Sequence, residues 1–386
     1  MARQVSAQIR RALYQVHLWI AVVLCILLVP IGLTGSLIAW PEQVQAVLHP
    51  PPHVAATETA TLSPSAYLEA AKAGLPKGAR VLGLRMPAKP GEAVAVSATL
   101  GRGGPAAGQT AWLDPADGKV LSAGRTIPRA YQMMHQFHDT LLLEENGGGA
   151  IVGWAGVAMF ILSLSGIWLW WPRGNSFLRA FRWRRTPGTL MNLHYLVGFW
   201  VSIPLALLSI TGVFISFPKV GAAVLGAPPP QAQAPRPPGG GGPREPTLTA
   251  EQAIAAARAA HPEAPRLVAV NLPGAGGRGP AGTQNAWRVE LAGSGRPVAL
   301  RVDDRSSAVS DAPPAGPPPP QNAVGFSRAL HEAHFGLFWK WIVTLVGFVP
   351  ALLAVTGVIT WIKAEQRKAR MRQGGVETEE AQAAEA

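Results

Sequence analysis

Six of the nine histidines occupy matched places at the ends of apolar segments. His17 and His194 each begin such a segment, while two pairs with the spacing His-x-x-His each precede one. An ionisable side chain at membrane depth is costly unless it faces the bundle interior and has a partner. Two imidazoles at matched depth in a helix bundle can be the two axial ligands of one haem iron. The two His-x-x-His pairs are His135 with His138 and His331 with His334.

The pattern therefore predicts two haem b groups in two layers. His17 and His194 would ligate one iron, and His138 with His334 would ligate the other, because these two lie nearer to the following spans. Residues three apart share one helical face, so the other member of each pair remains an alternative ligand. If they do not ligate iron, His135 and His331 would bond haem propionates or a substrate.

Other metals fit the histidines less well. In a zinc site, two histidines are usually joined by further protein ligands such as carboxylates or thiolates. The acidic residues beside the histidines, Asp139 and Glu332, do not align between the two halves of the chain. The single cysteine, Cys25, excludes any site built on several thiolates.

A Ser/Thr-Gly dipeptide recurs in every apolar segment. Measured at 1.5 Å per residue, Gly35 lies roughly 27 Å along the helix from His17, near the opposite histidine layer. We expect each haem to be ligated by one helix pair and faced by glycines of the other pair, which leave room for the porphyrin. The alternative is that these positions are small-residue sites of helix packing. The glycines are Gly35, Gly166, Gly212 and Gly357.

The elements that must position these residues are four predicted transmembrane helices. Each offers about 20 largely apolar residues, enough to cross a bilayer. The chain is 48% hydrophobic and only 15% charged, and its 42 glycines and 36 prolines indicate long irregular connections. The net charge of +12 lies largely beside the spans, so we expect membrane lipid and no nucleic acid as partner. The spans are 18–40, 150–171, 196–217 and 337–362.

An internal duplication organises the spans. An offset of 177 aligns the first span with the third, and an offset of 191 aligns the second with the fourth. The predicted fold class is an integral-membrane α-helical protein: a four-helix transmembrane bundle of two parallel repeats, each with an inserted periplasmic α+β domain.

The predicted segments are the N-terminus with the first span (1–40), a periplasmic domain (41–134), a histidine segment with the second span (135–172), a basic loop (173–193), the third span (194–217), a second periplasmic domain with Pro/Gly-rich linkers (218–325), its histidine segment with the fourth span (326–362) and a tail (363–386).

Orientation follows from the arginines and lysines of the short flanks. They precede the first span, fill the loop after the second and follow the fourth. Both termini are therefore predicted to be cytoplasmic, in a multi-pass protein of the bacterial inner membrane.

The chain resembles the PepSY-associated transmembrane helix family over nearly its whole length. The similarity lies in the His-led first span and in the Ser-Gly-x-Trp-x-Trp-Trp-Pro-Arg sequence from Ser165 to Arg173. It continues in His334-Phe335-Gly336 and in the Val-Thr-Gly-Val-x-x-Trp sequence that ends at Trp361. The resemblance implies PepSY-like external domains and a link to iron uptake. It also implies membership of a family in which some proteins are described as di-haem ferric-siderophore reductases. The Pro-rich insertions and the long spacer 141–149 depart from the family pattern.

The expected function is a transmembrane ferric-chelate reductase. A cytoplasmic or quinol donor would supply electrons, and a ferric siderophore or other ferric chelate docked between the two external domains would accept them. No protein acid or base is required, so no catalytic residue is assigned. The alternatives are a non-catalytic membrane protein that binds peptide or regulates a protease, and a di-haem reductase whose acceptor is a quinone or a protein.

Overall fold

The computed structural model describes residues 2–54, 60–101, 107–171, 188–227, 245–274, 285–293, 297–313 and 320–385. The described residues belong to two compact units. One contains the long apolar helices, and the other comprises parts of Glu42–Gln132 and Gln233–Pro318. The basic loop residues 173–187 and most of the predicted Pro/Gly linkers lie outside the described residues.

Four long helices in the first unit confirm the four predicted spans. They are α1 (Ala2–Ile38), α5 (Gly148–Trp170), α6 (Thr189–Ser216) and α10 (Gly336–Glu385). Their apolar parts, of 31, 23, 28 and 36 residues, are long enough to cross a membrane. The shorter helices beside the spans are α2 (Pro41–Leu48), α4 (Arg129–Thr140), α7 (Pro218–Val224) and α9 (Ala323–His331).

The long helices pack in a ring. Helix α1 contacts α5 and α10, and α6 contacts the same two helices, so α1 and α6 occupy opposite corners. Small residues allow the close approach of α1 and α10: a Cβ on Gly32 would lie 2.5 Å from the carbonyl oxygen of Gly347. Ser36 Oγ donates to the Thr344 carbonyl at 2.8 Å across the same interface. This ring is the frame that holds the histidines.

The second unit is one antiparallel sheet of eight strands, in the order β4-β3-β2-β1-β5-β6-β7-β8. The first half of the sheet comes from the first connecting segment and the second half from the other. Helix α3 (Pro64–Ala70), followed by a 3₁₀ turn, packs on the first half, and helix α8 (Ala250–Ala260) packs on the second. The strands are Ala79–Arg85, Val94–Leu100, Gly108–Leu113, Val120–Arg125, Arg266–Asn271, Ala286–Ala292, Val298–Asp303 and Val309–Asp311.

The sequence-based division into two external domains differs from this arrangement. Strand β1 pairs with β5, so that Leu84 lies opposite Val270 at the centre of a continuous sheet. One hydrophobic core includes Tyr67 and Val96 from the first segment and Ile254 and Val289 from the second. The two segments therefore form one domain, and the chelate site predicted between two external domains loses its basis.

In the segment just before each helix of the sheet domain, two consecutive backbone amides donate hydrogen bonds to acceptors elsewhere in the domain. Those of Thr247 and Leu248 donate to the Asp304 carboxylate at 2.8 and 3.1 Å. The Trp287 indole donates to the same carboxylate at 2.8 Å. In the first half, the Pro115 carbonyl and the Tyr67 hydroxyl accept the corresponding amide protons. Asp304 is only 8% exposed, so its hydrogen bonds replace those it would make with water.

Candidate functional site

Two histidines from different short helices face each other at one end of the bundle. His138 lies on α4 and His331 is the last residue of α9, and their ring centroids are 6.3 Å apart. We call this pair the His138/His331 layer. Both residues are partly buried.

Both rings of this layer hold the same tautomer. The Nδ1–H of His138 donates to the Ile31 carbonyl of α1 at 2.8 Å, and that of His331 donates to the Leu208 carbonyl of α6 at 3.0 Å. A carbonyl can only accept, so Nδ1 carries the proton and Nε2 keeps its lone pair. A neutral imidazole in this state is a metal ligand whose orientation is set by the hydrogen bond to its other nitrogen.

Glycines of the neighbouring spans lie in close contact with these two rings. A Cβ on Gly35 would lie 2.7 Å from Cε1 of His138, and one on Gly212 would lie 2.9 Å from Cε1 of His331. An imidazole thus lies directly against each of these two glycines, and the expectation that a porphyrin also lies there stays a prediction. The hydroxyls of Thr34 and Thr211, which precede the glycines, lie 3.4 and 3.1 Å from the respective Nδ1 atoms.

His17 and His194 form a second layer with a closely similar arrangement. Nδ1 of His17 lies 2.8 Å from Ser165 Oγ of α5, and Nδ1 of His194 lies 3.1 Å from Thr356 Oγ1 of α10. Each hydroxyl donates to a carbonyl of its own helix, so it accepts the Nδ1 proton and again leaves Nε2 unprotonated. We call this pair the His17/His194 layer.

Glycines face this layer at ordinary contact distance. A Cβ on Gly166 would lie 3.5 Å from Cε1 of His17, and one on Gly357 would lie 3.4 Å from Cε1 of His194. Since these contacts are longer than those of Gly35 and Gly212, an added methyl group would be tolerated better here.

A cavity of about 690 Å³ lies among α1, α5, α6 and α10 at the His17/His194 layer. Both histidines and both facing glycines line it, together with mainly apolar side chains. Its volume falls in the range of cofactor sites in proteins. Arg10 and Arg11 also line the cavity, and Arg10 donates to the Leu169 carbonyl at 2.9 Å.

The remaining two histidines of the His-x-x-His pairs lie outside the His138/His331 layer. His135 is exposed and 3.0 Å from the Asp139 carboxylate, and His334 is exposed and 3.7 Å from Glu332. The structure thus brings His138 to His331, whereas the sequence prediction paired it with His334. Residue Ala333, at a φ of 59°, turns the chain after α9, so His334 no longer follows the helical face of His331.

A signal for the correct pairing was present in the sequence. His138 is followed by Asp139 and His331 by Glu332, and each acid makes an i, i+4 ion pair with a basic residue of its own helix. Those basic residues, His135 and Arg328, therefore also correspond. The alignment based on the spans missed this match because the connections after α4 and α9 differ in length.

Burial of the His138/His331 layer favours neutral rings. Burial lowers the pKa of His331 to about 4, with the adjacent His138 adding to the effect. Burial likewise lowers the pKa of His138, against the hydrogen bond to Ile31. The hydrogen bond to Asp139 raises the pKa of the outer His135. The two facing imidazoles are therefore uncharged near pH 7, which is the protonation state that binds a metal.

The donor set fits haem better than a bare metal ion. Within the part of the chain that the structure describes, no group of three or more His, Cys, Asp or Glu side chains is arranged around a metal position. Two histidines alone leave most coordination positions of an ion empty, whereas a porphyrin supplies four nitrogens and needs only the two axial ligands. The two histidines of each layer are the side chains that would hold a haem iron.

Comparison with known protein families gives a match. The model of the PepSY-associated TM region matches residues 14–364, nearly the whole chain. No curated protein matches the sequence.

Proposed function

We propose a function for this chain, which belongs to the PepSY-associated TM region family of membrane proteins. In this proposal the chain is a di-haem electron-transfer protein that reduces a ferric chelate. His138 and His331 would ligate one iron, and His17 and His194 the other. This assignment replaces His334 by His331 and keeps the other three predicted ligands.

The separation of the His138 and His331 rings carries the proposal. The two rings are close enough that both could hold one iron between them. The observed centroid distance is 6.3 Å. The hydrogen bonds at both Nδ1 atoms leave the two Nε2 atoms available, so the pair is prepared for axial ligation.

The second layer supports the same assignment through its cavity. His17 and His194 line a space with mainly apolar walls, which suits a macrocycle. Arg10 and Arg11 line the same cavity and would bind the haem propionates, because guanidinium groups form charge-assisted hydrogen bonds with carboxylates.

Bound haem b would supply reversible one-electron transfer. The protein's own residues then have three tasks. The carbonyls of Ile31 and Leu208 and the hydroxyls of Ser165 and Thr356 hold the four imidazoles in one tautomer. The glycines determine how deeply the rings sit, and the apolar helices exclude water from the centres.

The substrate would be a ferric chelate such as a ferric siderophore at the His138/His331 end, with a quinol or cytoplasmic donor at the other end. Hard oxygen donors hold iron(III) more tightly than iron(II), so addition of one electron loosens the chelate. No protein acid or base is needed for this step.

The proposed architecture is two parallel repeats in the bacterial inner membrane with both termini cytoplasmic. The contacts of His17 with Ser165 and Gly166 correspond to those of His194 with Thr356 and Gly357. The contacts of His138 with α1 likewise correspond to those of His331 with α6. Basic residues early in α1 and late in α10 support the orientation, and the sheet domain would be periplasmic.

The experiment is a haem assay on the full-length protein purified in detergent from haem-replete cells. We expect two b-type haems per chain, visible in a reduced-minus-oxidised spectrum, and oxidation of the reduced protein by a ferric chelate. A colourless preparation would refute the proposal. A pigmented protein that ferric chelates fail to oxidise would refute the assigned acceptor.

A further inference from the structure

The face of the eight-stranded sheet opposite the helices carries a row of polar residues in register. We call it the second face. The core residues Val289 and Leu300 point toward the helices, so their strand neighbours Arg288 and Arg301 project from the second face. Arg288 lies directly opposite Arg301 on β7 and opposite Asn271 on β5. Two arginines thus stand side by side near the centre of the second half of the sheet.

This placement is unfavourable without a counter-charge. Directly opposed side chains have Cβ atoms about 5 Å apart, and like charges in such positions destabilise a sheet. Glu290 neutralises one of the two charges in part, because it accepts from Arg288 Nε at 3.1 Å. Arg301 makes no side-chain hydrogen bond or ion pair to any residue that the structure describes.

One guanidinium nitrogen is also left unsatisfied. Arg288 Nη2 is buried and has no hydrogen-bond partner among the described residues. A buried donor without an acceptor costs free energy, and such groups in native proteins usually indicate an ion, a water or a ligand. The Nε atom of the same side chain already donates to Glu290, so Nη2 is the guanidinium nitrogen that is left for a ligand.

We propose that Arg288 and Arg301 form a binding site for a small oxyanion on the second face of the sheet. Guanidinium groups recognise carboxylate and phosphate oxygens through paired, charge-assisted hydrogen bonds. One oxyanion between the two side chains would satisfy Nη2 of Arg288, provide Arg301 with a partner and screen the repulsion between them. The site is built from the sheet alone and is independent of the haem assignment.

The test measures oxyanion binding to the full-length protein in detergent by isothermal titration calorimetry. Inorganic phosphate and citrate are titrated separately against sodium chloride at matched ionic strength, so that the two arms distinguish phosphate from carboxylate ligands. We expect saturable binding of at least one of them, weakened about tenfold or more in Arg301→Gln and in Arg288→Gln. Arg305→Gln is the matched control, because Arg305 is exposed in the turn after β7 and should bind as the wild type does.

Thermal unfolding gives a second readout that does not depend on binding heats. The oxyanion should raise the Tm of the wild type and of Arg305→Gln and leave that of Arg301→Gln unchanged, because only a protein that binds the ligand is stabilised by it. Arg301→Glu should raise the Tm without oxyanion, since it places a carboxylate opposite Arg288. Absence of saturable binding by both oxyanions, or equal binding by Arg301→Gln and the wild type, would overturn the proposal.

Discussion

The imidazole rings of His138 and His331 face each other at a centroid distance of 6.3 Å, although they come from short helices in opposite halves of the chain. Each ring is hydrogen-bonded through Nδ1 to a carbonyl of a different membrane-spanning helix. The layer therefore depends on α1 and α6 as much as on the helices that carry the histidines.

Replacement of His331 by alanine should remove one haem and leave the other. Its ring is the partner of His138, whereas His334 is exposed and near Glu332. The haem content, measured as the pyridine haemochrome, should fall from two to one per chain in His331→Ala.

His334→Ala is the matched control and should keep both haems. If His334→Ala lost one haem and His331→Ala lost none, His334 would be the ligand and the assignment made from the ring distance would be incorrect.

A methyl group at Gly212 should displace His331. The added Cβ would lie 2.9 Å from the ring, closer than van der Waals contact. Overpacking of this kind costs about 1–3 kcal/mol, and a displaced ring no longer faces His138. We expect Gly212→Ala to lower the Tm and to lose haem from this layer.

Gly149→Ala, in α5, tests whether the effect is local. Its Cβ would meet only the Asp139 carbonyl oxygen at 4.0 Å, which is an ordinary contact. Haem content and Tm close to the wild type are expected. Equal haem loss in both variants would mean that any added methyl group disturbs the bundle and that Gly212 has no special role.

Removal of the Ser165 hydroxyl should weaken the His17/His194 layer without unfolding the bundle. Ser165 accepts the Nδ1 proton of His17, and loss of such a partner typically costs about 10–100-fold in metal affinity. Competition for haem with apomyoglobin measures the change in Ser165→Ala.

The control for this change is Ser209→Ala in α6. Ser209 donates to the Leu205 carbonyl of its own helix. Its loss should leave haem affinity within about twofold of the wild type. A comparable decrease in both variants would indicate a general effect of serine removal from the membrane helices.

The carboxylate of Asp304 should make the sheet domain acid-sensitive. Burial tends to raise its pKa, but hydrogen bonds from Thr247, Trp287 and Leu248 outweigh this effect and hold the pKa below the ordinary value for aspartate. The folded pKa is lower than the unfolded pKa of about 3.9, so its contribution is present above that pH and is lost as the pH falls through the folded value.

The variant Asp304→Asn should therefore be less stable than the wild type by about 1–3 kcal/mol at pH 7. The difference should shrink at pH 3, which scanning fluorimetry at the two pH values can measure. Asp311→Asn, at an exposed position of β8, is expected to change little at either pH. A difference between wild type and Asp304→Asn that stays constant from pH 7 to pH 3 would contradict the assigned role of the charge.

The membrane helices could be predicted from the sequence alone. A run of about 20 apolar residues must satisfy its backbone within a helix when it lies in lipid, so length and composition are sufficient to define a span. The four Ser/Thr-Gly dipeptides and the histidines at the span ends were recognisable as repeated local features.

The partners of these elements were decided only by the tertiary structure. His331 and His334 are three residues apart and equally close to a span, and the turn at Ala333 determines which of them faces His138. The pairing of β1 with β5, which merges two predicted domains into one sheet, joins strands far apart in the chain. Local periodicity specifies which face of a strand is apolar but not which strand lies beside it, because pairing depends on hydrogen bonds between distant segments.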